Sequence, residues 1–170
     1  MQTTSLKGRD FIAETDFTRE EIETILRTAE ELKLERARGV YHDQILRAKT
    51  LFMIFYNQSL RTRNSFEAGM HQLGGHAHYL DPSKIYTPAL EGREVAYSTE
   101  RVSDVARVLS RMGDAIAIRC YGDPVDWEYG GAHAMLQEFA RWSDIPVLNL
   151  EATPNLPTKL ILALLPFFLF

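Results

Sequence analysis

Leu51-Phe52-Met53-Ile54-Phe55-Tyr56, followed by Asn57-Gln58-Ser59-Leu60-Arg61-Thr62-Arg63, is the stretch that decides the fold. The first six residues form an apolar run that reads as a buried strand. From Arg63 to Leu73, Phe66, Met70 and Leu73 fall on one stripe at helical spacing. A strand that passes into a helix this tightly points unpaired backbone N–H groups, the Ser59 and Thr62 hydroxyls and two guanidiniums at one place. Such a place suits a phosphate, because a helix N-terminus is positive and arginine's planar fork matches phosphate oxygens. The plainer reading of the same residues is a serine cap beside two solvated arginines.

Outward from that stretch, strands and helices alternate. Thr18 and Glu21 form a capping box, and Ile22, Ile25, Leu26, Ala29 and Leu32 recur at helical spacing until Gly39 offers a C-cap. After the central strand and its helix, His76 to Leu80 reads as a second strand and Thr99 to Met112 as a helix with Val102, Val105, Ala106 and Leu109 inward. Ala115 to Arg119 is a third strand, Ala132 to Trp142 a helix with Leu136, Phe139 and Ala140 inward, and Ile145 to Leu150 a fourth strand. Residues 81–98 read as a long irregular connection, which in a compact domain is more often functional than idle. The fold class is therefore α/β: a four-stranded parallel sheet with helices on both faces, preceded by an N-terminal helix.

In open parallel sheets, ligands bind outside the carboxyl ends of the strands. The polar groups that stand out, residues 57–63, 81–97, 119–122 and 151–159, each follow a strand. A dinucleotide-binding fold shares this topology, but its first strand runs into Gly-x-Gly-x-x-Gly, and here Tyr56-Asn57-Gln58-Ser59 stands instead.

Composition bounds the function without choosing it. The chain has 170 residues, 45% of them hydrophobic and 25% charged, which is enough for one domain with a sizeable core. A net charge of -4 and the lack of a basic run argue against nucleic acid and favour a small anionic substrate at one local site. The lone Cys120 reads as a half-buried small apolar residue rather than a catalytic thiol, and a single cysteine fits a reducing cytoplasm. The start of the chain, MQTTSLKGRDF, does not read as a signal peptide. His71, His76, His78, His42 and His133 lack carboxylate or cysteine partners at ligand spacing, so no metal ion is expected. Asp104, Arg107 and Arg111 read as a solvated salt-bridge ladder along one helix.

Asn57-Gln58-Ser59-Leu60-Arg61-Thr62-Arg63-Asn64-Ser65-Phe66-Glu67 resembles the carbamoyl phosphate signature of the aspartate and ornithine carbamoyltransferases, whose usual form is Ser-Thr-Arg-Thr-Arg. Gln72-Leu73-Gly74-Gly75-His76, residues 105–111 and Ile118-Arg119 stand in the order and spacing of the ornithine branch. Val125-Asp126-Trp127 and Asn149-Leu150-Glu151 look closer to the enzymes acting on N-acetylornithine or N-succinylornithine.

The resemblance implies transfer of the carbamoyl group from carbamoyl phosphate to an ornithine-type amine in arginine metabolism, with no cofactor. It implies that Ser59, Leu60, Arg61, Thr62, Arg63 and Arg119 bind carbamoyl phosphate, Leu60 through its backbone, with Arg61, Thr62 and Arg119 as the catalytic residues. It further implies a homotrimer in which the long connection reaches a neighbouring subunit, making Lys84 or Tyr86 a donor in trans. No membrane association is expected. Residues 1–155 would be the carbamoyl phosphate domain, and the family's second, amine-binding domain is absent from the sequence. The pattern departs near the carboxyl end: where the family shows His-Pro-x-Gln, Leu156-Pro157-Thr158-Lys159 stands here, and 160–170 is wholly apolar. Leucine cannot donate to a carbonyl oxygen, so a truncated enzyme and a non-catalytic phosphate-binding or assembly module both remain open.

Overall fold

The computed structural model describes residues 6–151. Leu156, Lys159 and the apolar run 160–170 lie outside the described residues.

The sheet is built on β1 (Thr50–Phe55), whose two neighbours are β2 (His76–Leu80) and β5 (Ala115–Arg119), with β6 (Val147–Glu151) beyond β5. All three pairings are parallel, in the order β2-β1-β5-β6. Alternate residues of β1 therefore serve two cores. Phe52 and Ile54 pack with Val102, Ala106, Leu136 and Phe139 on one face. Leu51, Met53 and Phe55 pack with Phe66, Met70 and Leu73 on the other. Each fully buried side chain of this size contributes about 1.5 to 3 kcal/mol, so the doubly buried central strand anchors the domain.

The helices are α1 (Arg19–Ala37), α2 (Arg61–Gln72), α3 (Val102–Ser110) and α4 (Gly131–Trp142). Helix α1 opens with the predicted capping box: the Thr18 hydroxyl accepts from the Glu21 N–H, and the Glu21 carboxylate accepts from the Thr18 N–H. It closes in a Schellman arrangement, with the Gly39 N–H donating to Arg36 and the Val40 N–H to Glu35, while Gly39 takes φ +83°. Its apolar stripe packs less than its spacing suggests. Ala29 alone is fully buried, and Leu26 remains 36% exposed.

Two readings of the connection after β2 need correction. The stretch 81–98 is not wholly irregular: it holds a 3-10 turn, Pro82–Lys84, capped by the Asp81 carboxylate, and the short strand β3 (Thr87–Ala89). The helix expected from Thr99 begins at Val102 instead, because Thr99–Arg101 form β4, which pairs in parallel with β3. Pro88, in the middle of β3, removes a ladder donor and limits that sheet to two short strands. The sequence also concealed an edge. Phe11 bridges Leu148, its N–H donating to the Val147 carbonyl and its own carbonyl accepting from the Asn149 N–H, so residues near 11 extend the sheet beyond β6.

Candidate anion-binding site

Chain direction across the sheet reverses at β1. From it the chain goes first to β2 on one side and later to β5 on the other, so the carboxyl ends of β1 and β5 flank the switch-point crevice. The ladder between them ends where the Tyr56 N–H donates to the Arg119 carbonyl at 2.9 Å. Residues 57–60 then turn into α2.

Leu60, the residue before α2, already has αR geometry and gives no side-chain cap. Its carbonyl accepts from the Asn64 N–H at 3.2 Å and from the Asn64 side-chain amide at 2.7 Å. The N–H groups at 61–63 have no partner within the helix, so they remain available to an anion. The Leu60 side chain is 80% exposed, which leaves its backbone as what it offers here.

Arg119 closes β5 and reaches across the crevice. Its Nη1 donates to the Ser59 hydroxyl at 2.7 Å and to the Thr62 hydroxyl at 3.2 Å, and its Nη2 donates to the Tyr121 hydroxyl at 3.2 Å. A hydroxyl that accepts from a guanidinium keeps its own proton to donate elsewhere. Ser59 and Thr62 thereby become donors pointed by a fixed cation, next to a helix N-terminus. The cluster can bind an oxyanion through charge, hydroxyl protons and N–H groups together.

The structure thus brings Ser59, Thr62 and Arg119 into one hydrogen-bonded group. It treats the two motif arginines differently. Arg61 is exposed and has no hydrogen-bond or ion-pair partner among the described residues. The Arg63 side chain turns away: its Nε donates to Glu67 at 3.0 Å, and its guanidinium lies 3.6 Å from the centre of the Tyr79 ring. What Arg63 presents to the helix start is its backbone N–H.

Lys84 and Tyr86 do not bond to this cluster among the described residues. They line an open groove of about 860 Å³ with Leu80, Tyr97, Val108 and Leu109. Two contributors carried no assigned role in the sequence, Asn57 and Tyr121. The Asn57 carboxamide donates to the Tyr121 carbonyl and accepts from the Tyr121 N–H, both at 2.9 Å. The available signal for Tyr121 was its place two residues after Arg119, just past the strand end.

The remaining candidates fall where their chemistry dictates. Cys120 is fully buried, and burial pushes its thiol up to about 12, which leaves it protonated near neutral pH. Burial also pushes the Tyr56 phenol well above its ordinary range, and its hydroxyl donates to the Pro88 carbonyl at 2.7 Å. His76 and His78 stack edge-on at 4.9 Å on the edge strand β2, and His42 meets Glu35 at 2.7 Å. Arg107 lies 3.8 Å from Asp104, but Arg111 reaches Asp144 at 3.4 Å, so the expected three-residue ladder is two separate surface pairs. No helix among the described residues is long and apolar enough to cross a membrane.

The ornithine carbamoyltransferase of Carboxydothermus hydrogenoformans is 41% identical over 145 residues, covering 85% of this chain and 40% of that protein. Among solved structures, the ornithine carbamoyltransferase from Pyrococcus furiosus superposes with a TM-score of 0.71 at 41% identity, covering 86% of this chain and 41% of its own. An acetylornithine transcarbamylase complexed with acetylcitrulline gives the same TM-score of 0.71 at 35% identity, covering 84% of this chain and 42% of its own. The chain thus spans about two fifths of the length of these relatives. Residues 9–167 match the family described as aspartate/ornithine carbamoyltransferase, carbamoyl-P binding domain, and the chain belongs to that family.

Proposed function

We propose that this chain supplies the carbamoyl phosphate site of a carbamoyltransferase of arginine metabolism. The acceptor is the side-chain amine of ornithine or of an N-acylated ornithine. The observation that carries the reading is the Arg119 guanidinium bonded to both Ser59 and Thr62 at an uncapped helix start. In the reaction the amine nitrogen forms a C–N bond to the carbamoyl carbon, the C–O bond to phosphate breaks, and the amine's surplus proton leaves with phosphate. Little covalent work falls to the protein. Arg61, Thr62 and Arg119 balance charge growing on the departing phosphate, while Ser59 and the N–H groups of Leu60 and Arg63 hold the dianion in place.

Residues 1–155 form the carbamoyl phosphate domain in this reading, and the amine is bound by a separate domain. The protein works in the cytoplasm as a homotrimer, with Lys84 or Tyr86 from one subunit donating to the phosphate of the next. Support for that assembly is the exposure of both side chains on a connection long enough to extend outward. A second reading, a phosphate-binding or assembly module without turnover, is favoured by Leu156 and Lys159 at the places where His and Gln are expected.

Assay of ureido product from carbamoyl phosphate with ornithine, N-acetylornithine and N-succinylornithine separates the two. Turnover with one of these amines supports the transferase. Tight carbamoyl phosphate binding without product supports the module. In either case Arg61→Ala is expected to weaken binding by about 2 to 4 kcal/mol, the cost of a lost charge-assisted phosphate contact. Equal binding by wild type and Arg61→Ala removes Arg61 from the site.

A further inference from the structure

We infer that Asn57 and Tyr121 are positioning residues that aim Arg119 at the bound anion, a proposal that rests on the carbamoyl phosphate reading above. Strands β1 and β5 must part at their carboxyl ends to leave a crevice, and a strand end released from its ladder is free to shift. Here one side chain continues the ladder. The Asn57 carboxamide closes both peptide groups of Tyr121, at 2.9 Å each, directly past the last backbone bond from Tyr56 to Arg119.

Tyr121 is held from its other side as well. Gly122 takes φ +72° and turns the chain away at once, and its carbonyl accepts from the Val125 and Trp127 N–H groups at 3.0 Å each. The Trp127 indole packs over Gly122 so closely that an added Cβ would lie 3.1 Å from the ring, and the indole N–H donates to Asp123. Asp126 and Trp127 both adopt left-handed backbone, at φ 53° and 54°, a costly conformation for non-glycine residues that this lock sustains.

With its backbone fixed, Tyr121 offers its hydroxyl to Arg119 Nη2 at 3.2 Å while Ser59 and Thr62 take Nη1. Three oxygens, two on Nη1 and one on Nη2, therefore fix a side chain that would otherwise sample many rotamers. Anion binding then does not have to order it, and affinity rises accordingly. Neither Asn57 nor Tyr121 has to touch the anion for this effect.

The test is calorimetric titration of the full chain with carbamoyl phosphate, alongside thermal melts. Tyr121→Phe keeps ring, volume and backbone, and is expected to weaken binding about three- to tenfold, the scale of one modest hydrogen bond, while lowering the melting temperature by no more than about a few degrees. Asn57→Ala is expected to weaken binding at least as much. In an Arg119→Ala background both effects should vanish, because both act through that side chain. Unchanged affinity in Tyr121→Phe, or losses that persist in the Arg119→Ala background, overturns the positioning role. If Asn57→Ala does not fold, Tyr121→Phe alone decides. A wild-type chain that binds no carbamoyl phosphate overturns both this proposal and the reading it rests on. Wild-type binding that is lost in Arg61→Ala but unchanged in Tyr121→Phe overturns the positioning role only.

Discussion

Arg119 and Ser59 stand 60 residues apart in the chain and 2.7 Å apart in space, guanidinium to hydroxyl. That bond joins the end of β5 to the turn before α2, so the candidate site exists only once the two strands lie side by side. It also fixes polarity: the guanidinium donates, the hydroxyl accepts, and the Ser59 proton is left for an external oxyanion.

Arg119→Lys should therefore fail as a conservative change. One ammonium on an unbranched stem cannot occupy the two Nη positions that reach Ser59 and Thr62 on one side and Tyr121 on the other. Carbamoyl phosphate affinity measured by calorimetry is expected to drop by about tenfold or more, a loss of roughly 1.4 kcal/mol or greater. Full affinity in the lysine variant would mean that charge alone matters and that the fork geometry does not.

Gly74 makes a prediction about stability rather than binding. It follows α2 with φ +84°, and a Cβ built there would lie 1.9 Å from the Asp43 backbone carbonyl oxygen. Gly74→Ala combines left-handed strain with a backbone clash that no side-chain rotation relieves, so it is expected to cost about 2 to 3 kcal/mol. A urea denaturation midpoint equal to wild type would show that the turn after α2 shifts freely.

The strands were legible from the sequence because β1 and β5 are apolar runs too short for anything else, and because their charged or polar ends mark the ligand edge. Arg119 stood out for the same reason: a cation ending an apolar strand. The pairing of β3 with β4 was not legible. Thr87–Ala89 contains a proline and Thr99–Arg101 two charged residues, so neither shows apolar alternation, and their parallel pairing rests on backbone bonds, among them the Thr87 N–H to the Ser98 carbonyl at 3.0 Å, which residue type does not announce. Arg63 marks a different limit. The motif predicts its chemistry, but whether the guanidinium meets an anion or the Tyr79 ring depends on a strand thirteen or more residues away in sequence, which spacing within the motif cannot reveal.

Cys120 should behave as an inert core atom. It is fully buried at the end of the β5 segment, and a thiol pushed up to about 12 by burial holds almost no thiolate at pH near 8. Reaction with an aromatic disulfide reagent is expected to be negligible in the folded chain and complete in denaturant. Rapid labelling of the folded chain would show that the β5 end opens readily and would weaken the argument that the crevice is preformed.

Asp10 gives the pH dependence. Its carboxylate accepts from the Val147 N–H at 2.8 Å and so pins the N-terminal segment, whose Phe11 continues the sheet beside β6 and whose Ile12 carbonyl takes the Asn149 side-chain amide at 2.8 Å. Burial raises the Asp10 pKa above the ordinary carboxylate value, the Val147 N–H opposes the shift, and the neighbouring Asp16 charge adds to it. A raised pKa means that the folded chain binds more protons than the unfolded one between the two values. Stability contributed at this position therefore falls as pH rises from the unfolded value of about 3.9 through the folded value, and is level above it. Asp10→Asn keeps an oxygen to accept from Val147 and does not titrate. The stability of wild type relative to Asp10→Asn, from urea midpoints between about pH 3 and pH 7, should decline across the acid side of that range and then flatten. A difference that instead grows in favour of wild type with rising pH would mean that the Val147 bond outweighs burial, and that the ionised carboxylate is the form the fold prefers.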